Sequence, residues 1–397
     1  MTAGIVTKVE LGTRTGPIDL LLNEHWLTEL VGHPVQARRI RHKPGVGAVA
    51  SYGATSGAAR GWVQLVQHSA QDKVENAERR AADRDRAVTV RSLPRGWTAV
   101  HGEVATDPRL HRALDQLPTE LVDGLREAGE VRLLRYNPHR RLVLRWAETV
   151  LRVTVDRQTV AVAGARALAN AGICVSQPVR MPGLTAGRRV TAWPWVAGVD
   201  LLAGPDPQGA LAAGDVLARW HARPVSEAPA ALRCLSPKAG LRGTLAELAV
   251  LDPPLAVRVR PVAADLLARI TRECAEKPRR WSHGDFSADQ LIRPPGGGAQ
   301  VIDLDRSTLA PVGFDLGSFC AVERLRRHQG SPAADLSDSF LRGYAVAGGA
   351  LPAPESLRDW TAYGLLTRLT EPMRQARPEW RVGISQRWVD VQKVLAT

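Results

Sequence analysis

From Leu211 onward the chain carries helical periodicity, and that pattern breaks only once, between Trp281 and Asp305. Two short apolar runs, Leu291-Ile292-Arg293 and Val301-Ile302, flank the breaker segment Pro294-Pro295-Gly296-Gly297-Gly298 and predict a β-hairpin set among helices. With the turn centred between Gly296 and Gly297, Gln290 and Asp303 become cross-strand neighbours.

That pairing has a chemical reading. Mg²⁺ takes hard oxygen ligands from one or two side chains together with substrate phosphates, and an amide oxygen beside a carboxylate is such a pair. Asp285 sits just ahead of the hairpin, next to His283 and the backbone freedom of Gly284, where a carboxylate can meet an incoming hydroxyl. Phosphoryl transfer asks for little more than a group that accepts the hydroxyl proton and cations that neutralise the phosphates. Singly, an Asp after Gly is a turn residue and an Asp ending a strand is a helix cap. Jointly, the His-Gly-Asp loop, Gln290 five positions on and Ile302-Asp303 beyond it point to kinase chemistry. Asp315, in Gly313-Phe314-Asp315-Leu316-Gly317, opens a helix and reads as structural, capping that helix or bracing the Asp285 loop.

The rest of the chain supplies context. Residues 132–155 read as three antiparallel strands, Arg132 to Tyr136, Arg141 to Trp146 and Thr149 to Val155, followed by an Ala-rich helix from Arg157 to Asn170. A weaker copy of the same pattern lies upstream: Arg41 to Pro44 sits over Arg135 to Pro138, and Trp62 to Leu65 over Val150 to Val153. The expected organisation is an N-terminal α+β cap over 1–100, a connector over 101–131, a small antiparallel-sheet lobe with a hinge over 132–195, and a helical lobe over 196–397. The fold class is α+β and bilobal.

Composition excludes several alternatives. With 44% apolar and 23% charged residues the chain can bury a core, which rules out disorder and collagen. No apolar stretch is long enough to span a membrane, and no charged start followed by an apolar run precedes Arg14, so a cytoplasmic location is expected. Cys174, Cys234, Cys274 and Cys320 are widely spaced and read as buried thiols rather than a zinc site or disulfide frame. The net charge of +13 is dispersed, only 6 of the 53 basic residues are Lys, and no nucleic-acid-binding motif accompanies it. No nucleic-acid or membrane partner is expected, and the chain reads as a monomer or homodimer.

At His283-Gly284-Asp285, Gln290, Ile302-Asp303 and Phe314-Asp315-Leu316 the chain resembles the aminoglycoside phosphotransferase family, with its choline-kinase and macrolide-kinase relatives on a protein-kinase-like fold. Leu217-Ala218-Arg219-Trp220-His221 and the Arg-Tyr-x-Pro-x-x-Arg segment from Arg135 to Arg141 add to the resemblance, which covers about 130–390. It implies ATP held under the 132–195 lobe and Asp285 acting as base with His283 beside it. It also implies Gln290 and Asp303 as Mg²⁺ ligands, Arg152 and Arg135 near the phosphates, and Trp193, Trp195 and Val196 at the adenine-binding hinge. The acceptor would be the hydroxyl of a small molecule such as an aminoglycoside, macrolide or sugar, lying against the late helices. Glu355, Asp359, Glu371 and Glu379 are candidates to meet a cationic acceptor, and Trp360, Trp380 and Trp388 to stack on a sugar, although core packing explains these tryptophans better.

The chain departs from the family pattern in three places. Arg152 stands where the family has Lys, Gln290 stands where it has Asn, and the helix expected to supply a Glu partner contains no acid, leaving Asp156 just ahead of it. Two alternatives follow: a kinase-like nucleotide-binding module with weak or no turnover, and a Ser/Thr peptide kinase in a tailoring pathway.

Overall fold

A computed structural model describes residues 16–55, 57–125, 130–181, 184, 189–327 and 335–397. The described residues begin with two short helices, α1 (Pro17–Leu22) and α2 (Glu24–Val31), the second capped by Asn23, whose side chain accepts from the Trp26 amide. They lie on a five-stranded antiparallel sheet of β1 (Gln36–Lys43), β2 (Gly47–Gly53), β3 (Ala59–Gln67), β4 (Thr89–Leu93) and β5 (Trp97–Glu103), in the order β1-β2-β3-β5-β4, with α3 (Gln71–Ala82) between β3 and β4. The period of two along β3 sends Trp62 and Val66 to one face and Val63 and Leu65 to the other, and all four are buried. Both faces are therefore covered. Val63 and Leu65 join a core with α1, α2 and the late helices, while Trp62 and Val66 join a core with α3 and the next sheet.

A connector with α4 (His111–Leu114) and α5 (Thr119–Asp123) leads into a second antiparallel sheet. Its strands are β6 (Val131–Asn137), β7 (Arg141–Trp146), β8 (Thr149–Thr154) and β9 (Val190–Pro194), in that order, with α6 (Thr159–Asn170) between β8 and β9. Each sheet thus runs three strands and a helix before a strand returns beside the third, β9 directly in the second sheet and β5 after the edge strand β4 in the first. Val150 to Val153 and Trp62 to Leu65 both fall on the third strand of their sheet.

The remaining chain is helical around small strands. It comprises β10 (Val199–Asp200), α7 (Pro207–His221), α8 (Pro237–Leu251), α9 (Pro253–Glu276), β11 (Arg280–Ser282), β12 (Leu291–Arg293), β13 (Gln300–Val301), β14 (Thr308–Ala310), α10 (Gly313–Arg327), α11 (Ser337–Val346), α12 (Pro354–Thr367), α13 (Glu371–Arg374) and α14 (Trp380–Leu395). Asp206, Ser236 and Asp252 cap α7, α8 and α9, each ahead of a proline in the first turn where no amide is lost. Gly214 and Gly343 let α7 and α11 approach: a Cβ on Gly214 would lie 2.1 Å from the Phe340 carbonyl oxygen, and one on Gly343 would lie 2.0 Å from that of Leu211.

The architecture is the expected α+β one, with antiparallel sheets first and helices after. Trp360, Trp380 and Trp388 are core residues. Two local expectations are corrected. The hairpin pairs Leu291 with Val301 and Ile292 with Gln300, so the residue opposite Gln290 is Ile302, whose amide donates to the Gln290 carbonyl at 3.0 Å. The turn closes from the Gly297 amide to the Pro294 carbonyl, and Gly297 and Gly298 both take left-handed backbone, which shifts the register by one residue. The cysteines are all free, but Cys174 and Cys234 are exposed rather than buried. Among the described residues no helix is long and apolar enough to cross a membrane.

Candidate functional site

The Asp285 loop is held from behind. Asp315, on the first turn of α10 and fully buried, accepts from the backbone amides of His283 at 2.7 Å and Gly284 at 2.9 Å, and from His221 Nε2 on α7 at 3.1 Å. His221 Nδ1 in turn lies 3.0 Å from the Tyr344 hydroxyl on α11. Burial pushes the Asp315 carboxyl up, yet its hydrogen bonds, from His221 first and then the Gly284 amide, outweigh it and hold the group below the usual carboxylate range. Gly284 is required here because its φ is +87° and a Cβ would come within 1.9 Å of the Arg306 carbonyl oxygen. Asp315 therefore braces the loop, the second of the two structural roles the sequence offered.

His283 is also buried. Its Nδ1 accepts from the Asp285 amide at 3.3 Å, so Nε2 carries the proton and donates to the Ile302 carbonyl at 3.0 Å. With both ring nitrogens engaged, His283 ties the Asp285 loop to the end of the hairpin.

The Asp285 carboxylate is partly exposed. Oδ1 receives Arg368 Nη2 at 2.6 Å, and Oδ2 lies 3.7 Å from Arg306 Nε. Arg368, just past α12, also donates to the Ser318 hydroxyl at 3.1 Å. Asp289 is next to this group: the Ser287 hydroxyl donates to it at 2.6 Å and Gln290 Nε2 at 2.9 Å, and burial followed by the Asp285 charge raises its carboxyl above the usual range.

In the second sheet, β6, β7 and β8 place Arg135, Val143 and Arg152 in one cross-strand row, with Arg141 along β7. Arg152 donates to Asp303 Oδ1 at 2.9 Å and to Asp305. Arg141 reaches Asp303 Oδ2 and Asp305 Oδ2, each at 3.1 Å. Asp303 leaves the strand with φ 62° and ψ 61°, which turns the chain so that both carboxylates face the arginines. Burial raises the Asp303 carboxyl, but Arg152 and Arg141 outweigh it and the group is held well below the usual range. At Asp305 burial and the Asp303 charge win and the carboxyl moves up. Two carboxylates against two guanidinia give a quartet of no net charge. Asp156, the expected stand-in partner for Arg152, is not its partner.

Mg²⁺ takes one or two carboxylates plus phosphate oxygens rather than an all-protein cage. Asp303 and Asp305, with the amide oxygen of Gln290, are donors of that kind. No group of three or more His, Cys, Asp or Glu side chains suited to a metal occurs among the described residues, and magnesium does not require one. The donor set fits, with Arg141 and Arg152 supplying the positive charge that two adjacent carboxylates need.

In the segment expected to form the hinge, Trp193 is buried with its indole N–H donating to Thr191 Oγ1 at 2.9 Å, and Arg152 lies 5.9 Å from its ring. Trp195 lies under the Arg145 guanidinium at 4.1 Å, and its amide donates to Glu148 O at 2.8 Å, so that amide is already committed. Val196 follows, half-buried.

The four acids assigned to the acceptor do not gather. Asp359 is paired with Arg269 of α9 at 2.6 Å. Glu355 is exposed at the start of α12, and at 1.5 Å rise per residue it lies roughly 20 Å along the helix from Arg368. Glu379 is exposed at the start of α14. Glu371, on α13, lies 3.5 Å from Arg387, whose guanidinium also donates to the Arg368 carbonyl. Only Glu371 stands near the Asp285 group. Sequence reasoning missed Asp305, Asp289 and Arg368. Asp305 had a signal, being two positions past the strand-terminal Asp303; Arg368 had none.

The phosphotransferase enzyme family has a model that matches residues 125–360, more than half of the chain. The chain belongs to the phosphotransferase enzyme family. No curated protein matches it in sequence. Among solved structures it is similar to a choline/ethanolamine kinase family protein from Mesorhizobium loti, with 17% identity over 74% of this chain and 96% of that one and a TM-score of 0.51. It is similar at a TM-score of 0.50 to choline kinase from Streptococcus pneumoniae, with 13% identity over 70% of this chain and 96% of that one. A spectinomycin phosphotransferase solved with ADP and spectinomycin gives the same score, with 13% identity over 67% and 92%. At these identities the likeness is one of fold, that of the small-molecule kinases. The five-stranded sheet precedes the segment that the phosphotransferase family model matches, and Arg368 and Glu371 follow it.

Proposed function

We propose that this protein transfers the γ-phosphoryl group of ATP to a hydroxyl of a small molecule, with Asp285 as the base. The observation that carries the reading is the partly exposed Asp285 carboxylate on a loop braced by Asp315 and tied through His283 to the hairpin end that carries the Asp303 and Asp305 carboxylates of the quartet with Arg141 and Arg152. In the reaction the acceptor O–H donates to Asp285, the oxygen attacks the γ-phosphorus, its bond to the β-phosphate oxygen breaks, and Asp285 takes the proton. Arg152 and Arg141 can leave the carboxylates for phosphate oxygens, which guanidinium binds bidentately. Magnesium, when bound, would be held by Asp303, Asp305 and Gln290 and supply positive charge to the phosphates. His283 positions Asp285 rather than exchanging protons, since it is buried with both nitrogens engaged.

Turnover of ATP with a panel of hydroxylated acceptors, in wild type and Asp285→Asn, tests the assignment. The variant should lose on the order of 10²-fold or more in kcat at unchanged nucleotide affinity, and equal rates would sink the proposal. A second reading, nucleotide binding with weak turnover, draws on Arg368 holding Asp285 Oδ1 at 2.6 Å. It predicts that calorimetry detects ATP binding while no acceptor is phosphorylated.

A further inference from the structure

The N-terminal sheet does more than cover the core. Its edge strand β1 reaches the turn between β6 and β7: Arg39 Nε donates to Asn137 Oδ1 at 3.1 Å and Arg41 Nη1 to the Pro138 carbonyl at 3.0 Å. On its other side β1 packs against α13. Arg39 therefore stands where the two sheets and α13 meet, half-buried, with Arg135, Arg141 and Arg374 around it and Glu371 the only acid among those neighbours. Glu371 faces Arg387, and Arg374 is taken by Glu247 at 2.8 Å. Among the described residues no carboxylate lies within ion-pairing distance of Arg39. Burial and the Arg135 charge lower its pKa to about 10, so at neutral pH it remains a cation held among cations. A partly desolvated charge in like-charged surroundings is unfavourable until an anion joins it.

The same sign continues toward the base. Asp289 feels Arg135 and Arg368, and Asp285 is flanked by Arg368 and Arg306. Of the carboxylates that could meet a cationic acceptor, Glu355, Asp359 and Glu379 lie elsewhere, Glu371 faces Arg387, and both oxygens of Asp289 are taken by Ser287 and Gln290. We propose that the acceptor carries an anionic group, a phosphate or a carboxylate, bound by Arg39 of the N-terminal sheet together with Arg135 of β6. This rests on Asp285 marking the acceptor hydroxyl. It gives the N-terminal sheet a part in the site that the family-matched segment lacks, and the excess of arginines draws such an acceptor in.

Inorganic phosphate is the probe, titrated calorimetrically into the full chain at ionic strength matched with chloride, without and with a saturating non-hydrolysable ATP analogue. The analogue occupies the nucleotide's own phosphate positions, so phosphate that still binds has a separate place. The expected result is binding that persists with the analogue, weakens at least tenfold in Arg39→Gln and in Arg135→Gln, and is unchanged in Arg260→Gln, an exposed arginine of α9. Thermal unfolding confirms that each variant is folded. Loss of phosphate binding on adding the analogue would overturn the proposal by assigning the anion to the nucleotide, and so would wild-type affinity in both Arg39→Gln and Arg135→Gln. The readout is binding alone, so it stands apart from the Asp285→Asn turnover test: an inactive but phosphate-binding chain fails that test and not this one.

Discussion

Arg152 on β8 and Asp303 after β13 are joined at 2.9 Å across 151 positions of sequence, which couples the small sheet to the hairpin. Asp305 shares the same guanidinium, so Arg152 screens two adjacent carboxylates from each other. Arg152→Ala leaves them with Arg141 alone, and removing one partner of a buried pair costs about 3 kcal/mol. The sign with pH follows from Asp303, whose carboxyl sits below its unfolded value. Its contribution is present above the unfolded pKa of about 4 and lost as pH falls through the lower folded value. The deficit of Arg152→Ala in chemical denaturation is therefore full at pH 7 and shrinks below pH 4. A deficit independent of pH would refute the assignment. Arg152→Lys keeps the charge but not the fork, and recovers only part of both stability and nucleotide affinity.

Asp315 supports the loop from a fully buried position, and Asp315→Asn presents an amide N–H₂ where backbone amides need an acceptor. Losing charged hydrogen bonds at a buried site costs on the order of 2–3 kcal/mol. Because the carboxyl is held below the usual range, its contribution is complete above about pH 4 and disappears only as pH falls through the lower folded value. The variant should show a lower Tm at pH 7 and a reduced kcat with nucleotide affinity retained. Unchanged Tm and kcat would remove Asp315 from this role.

Gly284→Ala tests the same loop through the backbone. The new Cβ would meet the Arg306 carbonyl at 1.9 Å at a φ of +87°, so the loop must shift. Strained backbone of this sort costs on the order of 1–3 kcal/mol. The expected outcome is a folded protein whose turnover falls much further than its Tm, read by kinetics and thermal unfolding side by side. Wild-type kcat would show that the loop geometry is not needed.

What could be read from the sequence was contiguous. His283-Gly284-Asp285, Ile302-Asp303 and Phe314-Asp315-Leu316 each lie within a few residues, and a strand, a turn and a helix start specify them locally. The Arg141 contact with Asp303 and the Arg368 contact with Asp285 span 162 and 83 positions and depend on how the lobes pack, which no local pattern encodes. The register of the hairpin was off by one because three consecutive glycines allow the turn to close on either side. Asp359 looked available for an acceptor because the spacing of α12 does not reveal Arg269 on a different helix.

Asp107 ties the connector to the turn between β6 and β7. Almost wholly buried, its carboxylate accepts from the Tyr136 hydroxyl and the His139 amide, each at 2.7 Å, and from the Arg109 amide at 2.9 Å. His139 has a φ of +61°, uncommon for a side-chain-bearing residue, and the Trp62 ring packs edge-on against it at 5.2 Å. This turn therefore has one fixed shape, set by groups outside the second sheet. Arg141, which follows the turn directly, is one of the two arginines proposed to bind the nucleotide phosphates, so the turn's rigidity bears on nucleotide binding more than on the acceptor. Asp107→Asn puts an N–H₂ group in place of one oxygen, and Oδ2 alone accepts from both Tyr136 and His139, so the variant should speed amide exchange at residues 137–141 while raising the nucleotide KM several-fold, with a smaller change in kcat. Tyr136→Phe takes away one of these bonds and leaves the one to His139, so its effect should be the weaker of the two. Equal effects on KM and kcat in Asp107→Asn, without faster exchange in the turn, would show that Asp107 acts on general stability alone.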